Sequence, residues 1–251
     1  MRRLETPSAG HAPEKLPSMR LSVMSGFEIR MGKSVLVVPA NVERVIAFLA
    51  VRQRPQLRST VASTLWMDTT GDRASASLRS ALWRARQVVE AWIVLDGNYV
   101  GLSPDVDVDL NELVLRARRL IREDSAPEPD DGDPGSLAAD LLPGWDEEWI
   151  MFERERLRQL RIHALESLCR KLSAAGRPGE AIDAGLAAVI AEPLRESAQR
   201  ALVAAHLAEG NLSEARRQYH LYRDLLWEAL AIEPSDQFRG MVGLEARSST
   251  R

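Results

Sequence analysis

The sequence predicts an α+β winged helix-turn-helix domain followed by an all-α, tetratricopeptide-like helical domain. Three observations carry that prediction. From Met19, short runs with the two-residue period of strands give way to three helical patterns and then a second hairpin. From about Asp105 onward the pattern is helical, broken by one acidic loop. Within that helical half a motif returns after 34 residues, the tetratricopeptide period.

The elements can be justified in order. "MRLSVMSGFEIRMG" reads as two short strands with a turn near Gly26, and "SVLVVP" as a third strand after the turn at Gly32-Lys33, ended by Pro39. "NVERVIAFLAVR" follows as a helix with Asn41 as the expected N-cap and Val45, Phe48 and Leu49 facing inward. Pro55 interrupts, and "RSTVASTLWMD" restarts a short helix capped near Ser59. "TTGD" turns the chain into "SLRSALWRARQVV", with Asp72 placed to cap that third helix. "WIVLDGNYVGL" then carries two apolar runs around Asp96-Gly97-Asn98, a hairpin signal. Three strands, three helices and a hairpin place a helix–turn–helix in the middle and a wing after it.

The third helix has an unusual surface. Leu78, Leu82, Ala85 and Val89 fall at i, i+4, i+7 and i+11, the stripe a helix buries. The opposite face carries Arg73, Ser80, Trp83, Arg84 and Gln87, with Arg79 and Arg86 along one flank. No acidic residue interrupts it between Asp72 and Glu90, and the i+4 partner of Arg79 is Trp83. Exposed helices normally mix signs, because opposite charges at i,i+4 support one another. In a helix–turn–helix this second arm presents one face to the DNA major groove. Arginine forks onto guanine O6 and N7, and Ser80 or Gln87 can bond bases or phosphates. The candidate DNA-binding residues are therefore Arg73, Arg79, Ser80, Trp83, Arg84, Arg86 and Gln87, joined by Asn98 in the wing. The alternative is a solvated face. Two placements are open for Trp83, stacking at a sugar or packing under the wing. Tyr99 is expected to pack the hairpin; Arg52, Arg54 and Arg58 are open between phosphate contacts and a solvated loop.

Charge is divided along the chain. Residues 20–100 hold eleven Lys/Arg against six Asp/Glu, whereas residues 123–251 hold fifteen against twenty-four. A basic first part and an acidic second part suggest two jobs for two domains. In the helical half, "AAGRPGEA" at 174–181 returns as "AEGNLSEA" at 208–215, aligning Gly176 with Gly210, Glu180 with Glu214 and Ala181 with Ala215. The glycines turn the chain at helix ends, and the alanines let paired helices approach. The last helix is expected to run to Pro234 as a terminal cap.

The expected boundaries are a disordered arm over 1–18, the winged-helix domain over 19–105, the helical domain over 106–240 with an acidic loop at 123–136, and a flexible tail over 241–251. The single cysteine, Cys169, has helical apolar spacing and reads as a small core residue in a reducing compartment. No apolar run reaches the length of a membrane span, and the first residues lack the apolar centre of a signal peptide, so a cytoplasmic location is expected. Chemistry is not indicated. "GFEIRMGKS" has five residues between its glycines where a phosphate loop needs four, and it reads as strand. His11, His163, His206 and His220 have no partners at metal-ligand spacing, and no Ser-His-Asp order or G-x-S-x-G elbow occurs. No catalytic residues, metal or cofactor are expected.

"STLWMD", "SLRSALWRARQ" and "LDGNYVGL", then "VDVDL" at the junction and "PLRESAQRALVAAHLAEGNLSEARRQYHLYRDLL" and "LAIEPS" further on, keep a recognisable order. Residues 19 to about 102 resemble the winged-helix effector domains of OmpR-type regulators. Residues 108 to 238 resemble the bacterial transcriptional activator domain. Together they resemble the SARP-type regulators (Streptomyces antibiotic regulatory protein family). Members often carry Arg-Leu-Arg where this chain has Arg84-Ala85-Arg86, and a small or polar residue where it has Trp83. The resemblance implies a sequence-specific DNA-binding transcriptional activator that reads a repeated element in double-stranded DNA. It also implies contacts with RNA polymerase and a homodimer formed on DNA. The rival expectation is a protein-interaction scaffold whose winged helix no longer binds DNA.

Overall fold

The computed structural model describes residues 19–128 and 133–244. The arm expected over 1–18, part of the acidic loop and most of the expected tail lie outside the described residues. The chain divides into two compact units. One takes the chain up to Ser22 and Phe27–Val108; the other takes Val23–Gly26 and everything from Asp109.

In the first unit, β1 (Met19–Ser22), β2 (Glu28–Met31) and β3 (Ser34–Leu36) form an antiparallel meander. Leu21 and Ile29 sit opposite one another and are wholly buried, so one face of the sheet enters the core. The central helix α1 (Ala40–Arg52) buries every residue from Val45 to Val51. It is followed by β4 (Gln56–Leu57), α2 (Arg58–Leu65) and α3 (Gly71–Val89). A hairpin closes the unit, β5 (Ile93–Asp96) and β6 (Tyr99–Leu102). Gly97 supplies φ of 53° at the first loop position, where a II′ turn needs positive φ. Three caps differ from the expectation. The residues before α1, α2 and α3 are Pro39, Leu57 and Thr70, and none makes a side-chain capping bond, in place of Asn41, Ser59 and Asp72. Extended backbone at those positions starts the helices, and tertiary packing supplies the stability a cap would have added.

Two strands were not legible in the sequence. β4 pairs with β6, so the wing is a three-stranded sheet in the order β4-β6-β5. β7 (Asp107–Val108) pairs parallel with β1 and extends the first sheet to β3-β2-β1-β7. Each is two residues long, too short for a period to register. Gly101 lies so near Pro55 that a Cβ there would sit 3.3 Å from the proline Cα, which explains glycine in mid-strand.

The second unit is helical: α4 (Asp109–Ile121), α5 (Glu148–Ala174), α6 (Pro178–Ala191), α7 (Glu196–Ala208), α8 (Leu212–Leu230) and α9 (Asp236–Met241). α4 packs on α5, each helix from α5 to α8 packs on the next, and α5 also touches α7, as stacked helical hairpins do. Gly176 and Gly210 end α5 and α7 with φ of 72° and 84°, and the repeat-matched Ala181 and Ala215 are completely buried. Between α6 and α7 the approach is tight. A Cβ on Gly185 would lie 3.1 Å from the Leu202 Cα and 3.2 Å from the Cys169 Sγ. Cys169 is buried, bonds the Ala201 carbonyl at 3.3 Å, and has its thiol pushed up to about 12 by burial.

The last long helix stops before Pro234. Ala231 turns left-handed at φ of 55°, ending α8 at Leu230, and Ser235 accepts a hydrogen bond from Phe238 N to start α9. Phe238, wholly buried, meets Tyr219 edge-on at 5.2 Å and Tyr222 at 5.6 Å. α9 is thus the terminal cap, a role the sequence had suggested for α8. The inserted Val23–Gly26 is stitched to this unit as well. The Asp109 carboxylate accepts from Val23 N at 2.9 Å and Met24 N at 3.2 Å, while Leu142 N donates to Val23 O at 2.8 Å.

Candidate nucleic-acid interface

α3 turns its apolar stripe inward. Ala74, Leu78, Ala81, Leu82, Ala85 and Val89 are buried against α1, α2 and β5. The end of α2 is anchored to α1. The Arg44 guanidinium reaches from α1 to donate to the Leu65 carbonyl at 2.7 Å and lies 5.8 Å from the Trp66 ring centre. A cation at a helix carboxy-terminus satisfies a carbonyl that has no partner inside the helix and opposes the dipole favourably. Thr69 closes the turn by donating its backbone N–H and its hydroxyl to the Trp66 carbonyl, and Thr70 O accepts the first α3 bond from Ala74 N at 2.9 Å.

All eight residues nominated from the sequence, Arg73, Arg79, Ser80, Trp83, Arg84, Arg86, Gln87 and Asn98, are exposed. Seven lie along α3 and Asn98 lies at the hairpin tip. Among the described residues, Arg73, Arg79 and Arg84 make no ion pair or side-chain hydrogen bond. Arg86 differs: its guanidinium stands 3.0 Å from the Glu90 carboxylate. Both groups are exposed, so the pair contributes only some tenths of a kcal/mol and yields readily to a competing anion. Trp83 is 65% exposed and makes no ring contact with a described residue, so it is not packed under the wing. Tyr99 is 47% exposed, opposite Asp96 on one side and Leu57 on the other, only partly packing the hairpin. Arg52 lies over the Phe48 ring at 5.1 Å, while Arg54 is exposed.

Sequence reasoning missed two positioning contacts. One is Arg44. The other is the Asn98 carbonyl, which accepts from Arg58 N at 2.8 Å and ties the wing tip to the start of α2. Neither has a local signal, because each joins segments far apart in sequence.

In the helical unit, Arg154, Arg158 and Arg161 line a cavity beside α5, but they are engaged. Arg154 donates to the Leu141 and Leu142 carbonyls, Arg161 to the Ala139 carbonyl, and Arg158 to Glu155 and Glu192. Glu166, nearly buried, accepts from Arg195 Nε at 2.7 Å and Ser197 Oγ at 2.6 Å, joining α5 to the start of α7. No described helix is long and apolar enough to cross a membrane.

Residues 134–242, covering α5 to α9, match the model of the bacterial transcriptional activator domain. Mycobacterium tuberculosis EmbR, solved in complex with a low affinity phosphopeptide, matches the fold over 90% of this chain with a TM-score of 0.71 and 18% identity. This chain spans 64% of the length of that one. At that identity the likeness is one of fold alone: an α+β unit followed by an all-helical unit. No curated protein matches the sequence.

Proposed function

We propose that this chain is a sequence-specific DNA-binding transcriptional regulator, acting as an activator. The observation that carries it is the exposed cationic face of α3, in which Arg73, Arg79 and Arg84 have no partner among the described residues, on the second arm of a helix–turn–helix and flanked by a hairpin. Arg73, Arg79 and Arg84, with Ser80 and Gln87, read base edges and phosphates in the major groove; Arg86 exchanges Glu90 for a phosphate; Asn98 contacts the backbone beside the wing. The winged-helix domain, taken as 19–105, does the reading. The helical domain, taken as 106–240, docks RNA polymerase or a second protomer bound to an adjacent repeat. The setting is the cytoplasm, at the nucleoid when DNA is bound, and no catalytic step is required. The acidic balance of the second half suits a basic surface on its partner.

The test is selection of duplexes from a randomised pool by the full chain and by the Arg79→Ala/Arg84→Ala variant. The wild type is expected to enrich a repeated motif and the variant to enrich none. Enrichment of the same motif by both would show that α3 is not the reader. The second reading, a protein-interaction scaffold whose winged helix no longer binds DNA, has one observation in its favour, the large exposed indole of Trp83. It requires that no motif be enriched at all.

A further inference from the structure

Trp83 is out of place on a face otherwise made of arginine and small polar groups. At 100° per residue it stands near the middle of the exposed arc of α3, with Arg79 one turn before, Gln87 one turn after and Ser80 and Arg84 beside it. The residue is 65% exposed and its ring touches no other ring or cation among the described residues, so folding leaves most of it in water. The stripe that α3 buries is complete without it. An indole held in water at the centre of a cationic face is poised to be covered by whatever that face binds, and the surrounding charge selects a polyanion.

Among the donors and acceptors of the major groove the C5-methyl of thymine is the one apolar group that projects from a base edge; cytosine has only a hydrogen at that position. We infer that Trp83 is a specificity-determining residue that packs its ring on a thymine methyl, so that the bound element carries a thymine at the position facing the middle of α3. The inference rests on the DNA-reading function proposed above and adds the identity of one base. The flanking arginines and Gln87 set register and read neighbouring bases, while Trp83 distinguishes thymine from cytosine by an apolar contact and not by a hydrogen bond.

Deoxyuridine isolates that contact, because it keeps the O4 acceptor and the pairing of thymine and removes only the methyl. Duplexes selected by the wild-type chain from a randomised pool are resynthesised with single thymine-to-deoxyuridine replacements. Their affinities are then measured for wild type, Trp83→Ala and Trp83→Leu. One replacement is expected to weaken the wild type about four-fold, the effect of removing one buried methyl. Trp83→Ala should be indifferent to that same replacement, and Trp83→Leu should keep part of the discrimination. Thermal unfolding of both variants is expected to be unchanged, since the side chain is exposed. Duplex binding with no deoxyuridine effect, or with the same effect in Trp83→Ala, overturns the inference while leaving DNA reading intact. Absence of duplex binding at low salt overturns the DNA reading and the inference with it, and turns Trp83 towards a protein partner.

Discussion

Gly185 and Gly179 occupy one helix, and replacing each by alanine should move stability in opposite directions. Both are in α6, where alanine is favoured over glycine by about 1 kcal/mol on propensity alone. At Gly179 an added Cβ meets nothing within 4 Å, so Gly179→Ala should stabilise by about 0.4–1 kcal/mol. At Gly185 the same Cβ would lie 3.1 Å from the Leu202 Cα, 3.1 Å from its Cδ1 and 3.2 Å from the Cys169 Sγ. Unstrained carbon contacts begin near ~3.5 Å. The Leu202 Cα belongs to the backbone of α7, and both neighbouring side chains are fully buried, so relief requires α6 and α7 to separate. Overpacking of this kind costs about 1–3 kcal/mol, which outweighs the propensity gain and leaves Gly185→Ala destabilised by about 1 kcal/mol. Urea unfolding followed by circular dichroism, with slopes compared to confirm a common transition, reads the difference. A Gly185→Ala midpoint at or above that of Gly179→Ala would refute the close-approach reasoning.

Three further outcomes follow from the same geometry. Phe238→Ala empties the seat between Tyr219 and Tyr222 and should cost about 3–5 kcal/mol; because α9 has six residues and no other buried anchor on its own helix, limited proteolysis should cut first within 236–244. Cys169 should resist thiol reagents in the folded chain and react once the chain unfolds; immediate reaction would contradict its burial. Its thiol pKa is raised by burial, so the folded state holds a proton that the unfolded state releases. Stability from this group is present below the ordinary thiol pKa and is lost between about 9 and about 12, at up to about 1.4 kcal/mol per pH unit, and Cys169→Ala should flatten that alkaline slope.

Much of the fold was legible because its signals are local and periodic. The stripe Leu78, Leu82, Ala85 and Val89 identified α3 and its inward face; Asp96-Gly97-Asn98 identified the hairpin; Gly176 and Gly210 identified two helix ends that do adopt left-handed backbone. The parts not legible are held by distant partners. β4 and β7 exist because β6 and β1 lie alongside them, the 23–26 segment leaves its hairpin for Asp109 and Leu142, and α9 forms where Tyr219 and Tyr222 receive Phe238. The end of α8 was misplaced because "LWEALAIEP" has no glycine to mark the stop, and Ala231 takes the left-handed position instead. On α3, periodicity alone placed the cationic face towards solvent. That Arg86 pairs with Glu90 while Arg73, Arg79 and Arg84 do not depended on the full length of the helix.

Fluorescence anisotropy of a labelled duplex across a salt series, with wild type and Arg79→Ala/Arg84→Ala side by side, tests the DNA-reading account most directly. Each phosphate neutralised should add about −0.9 to the slope of log affinity against log salt. The account requires a steep slope for the wild type and a marked loss of affinity in the variant, about 1–3 kcal/mol for each base contact removed. No binding at low salt, or equal affinity and slope in the two proteins, would contradict it.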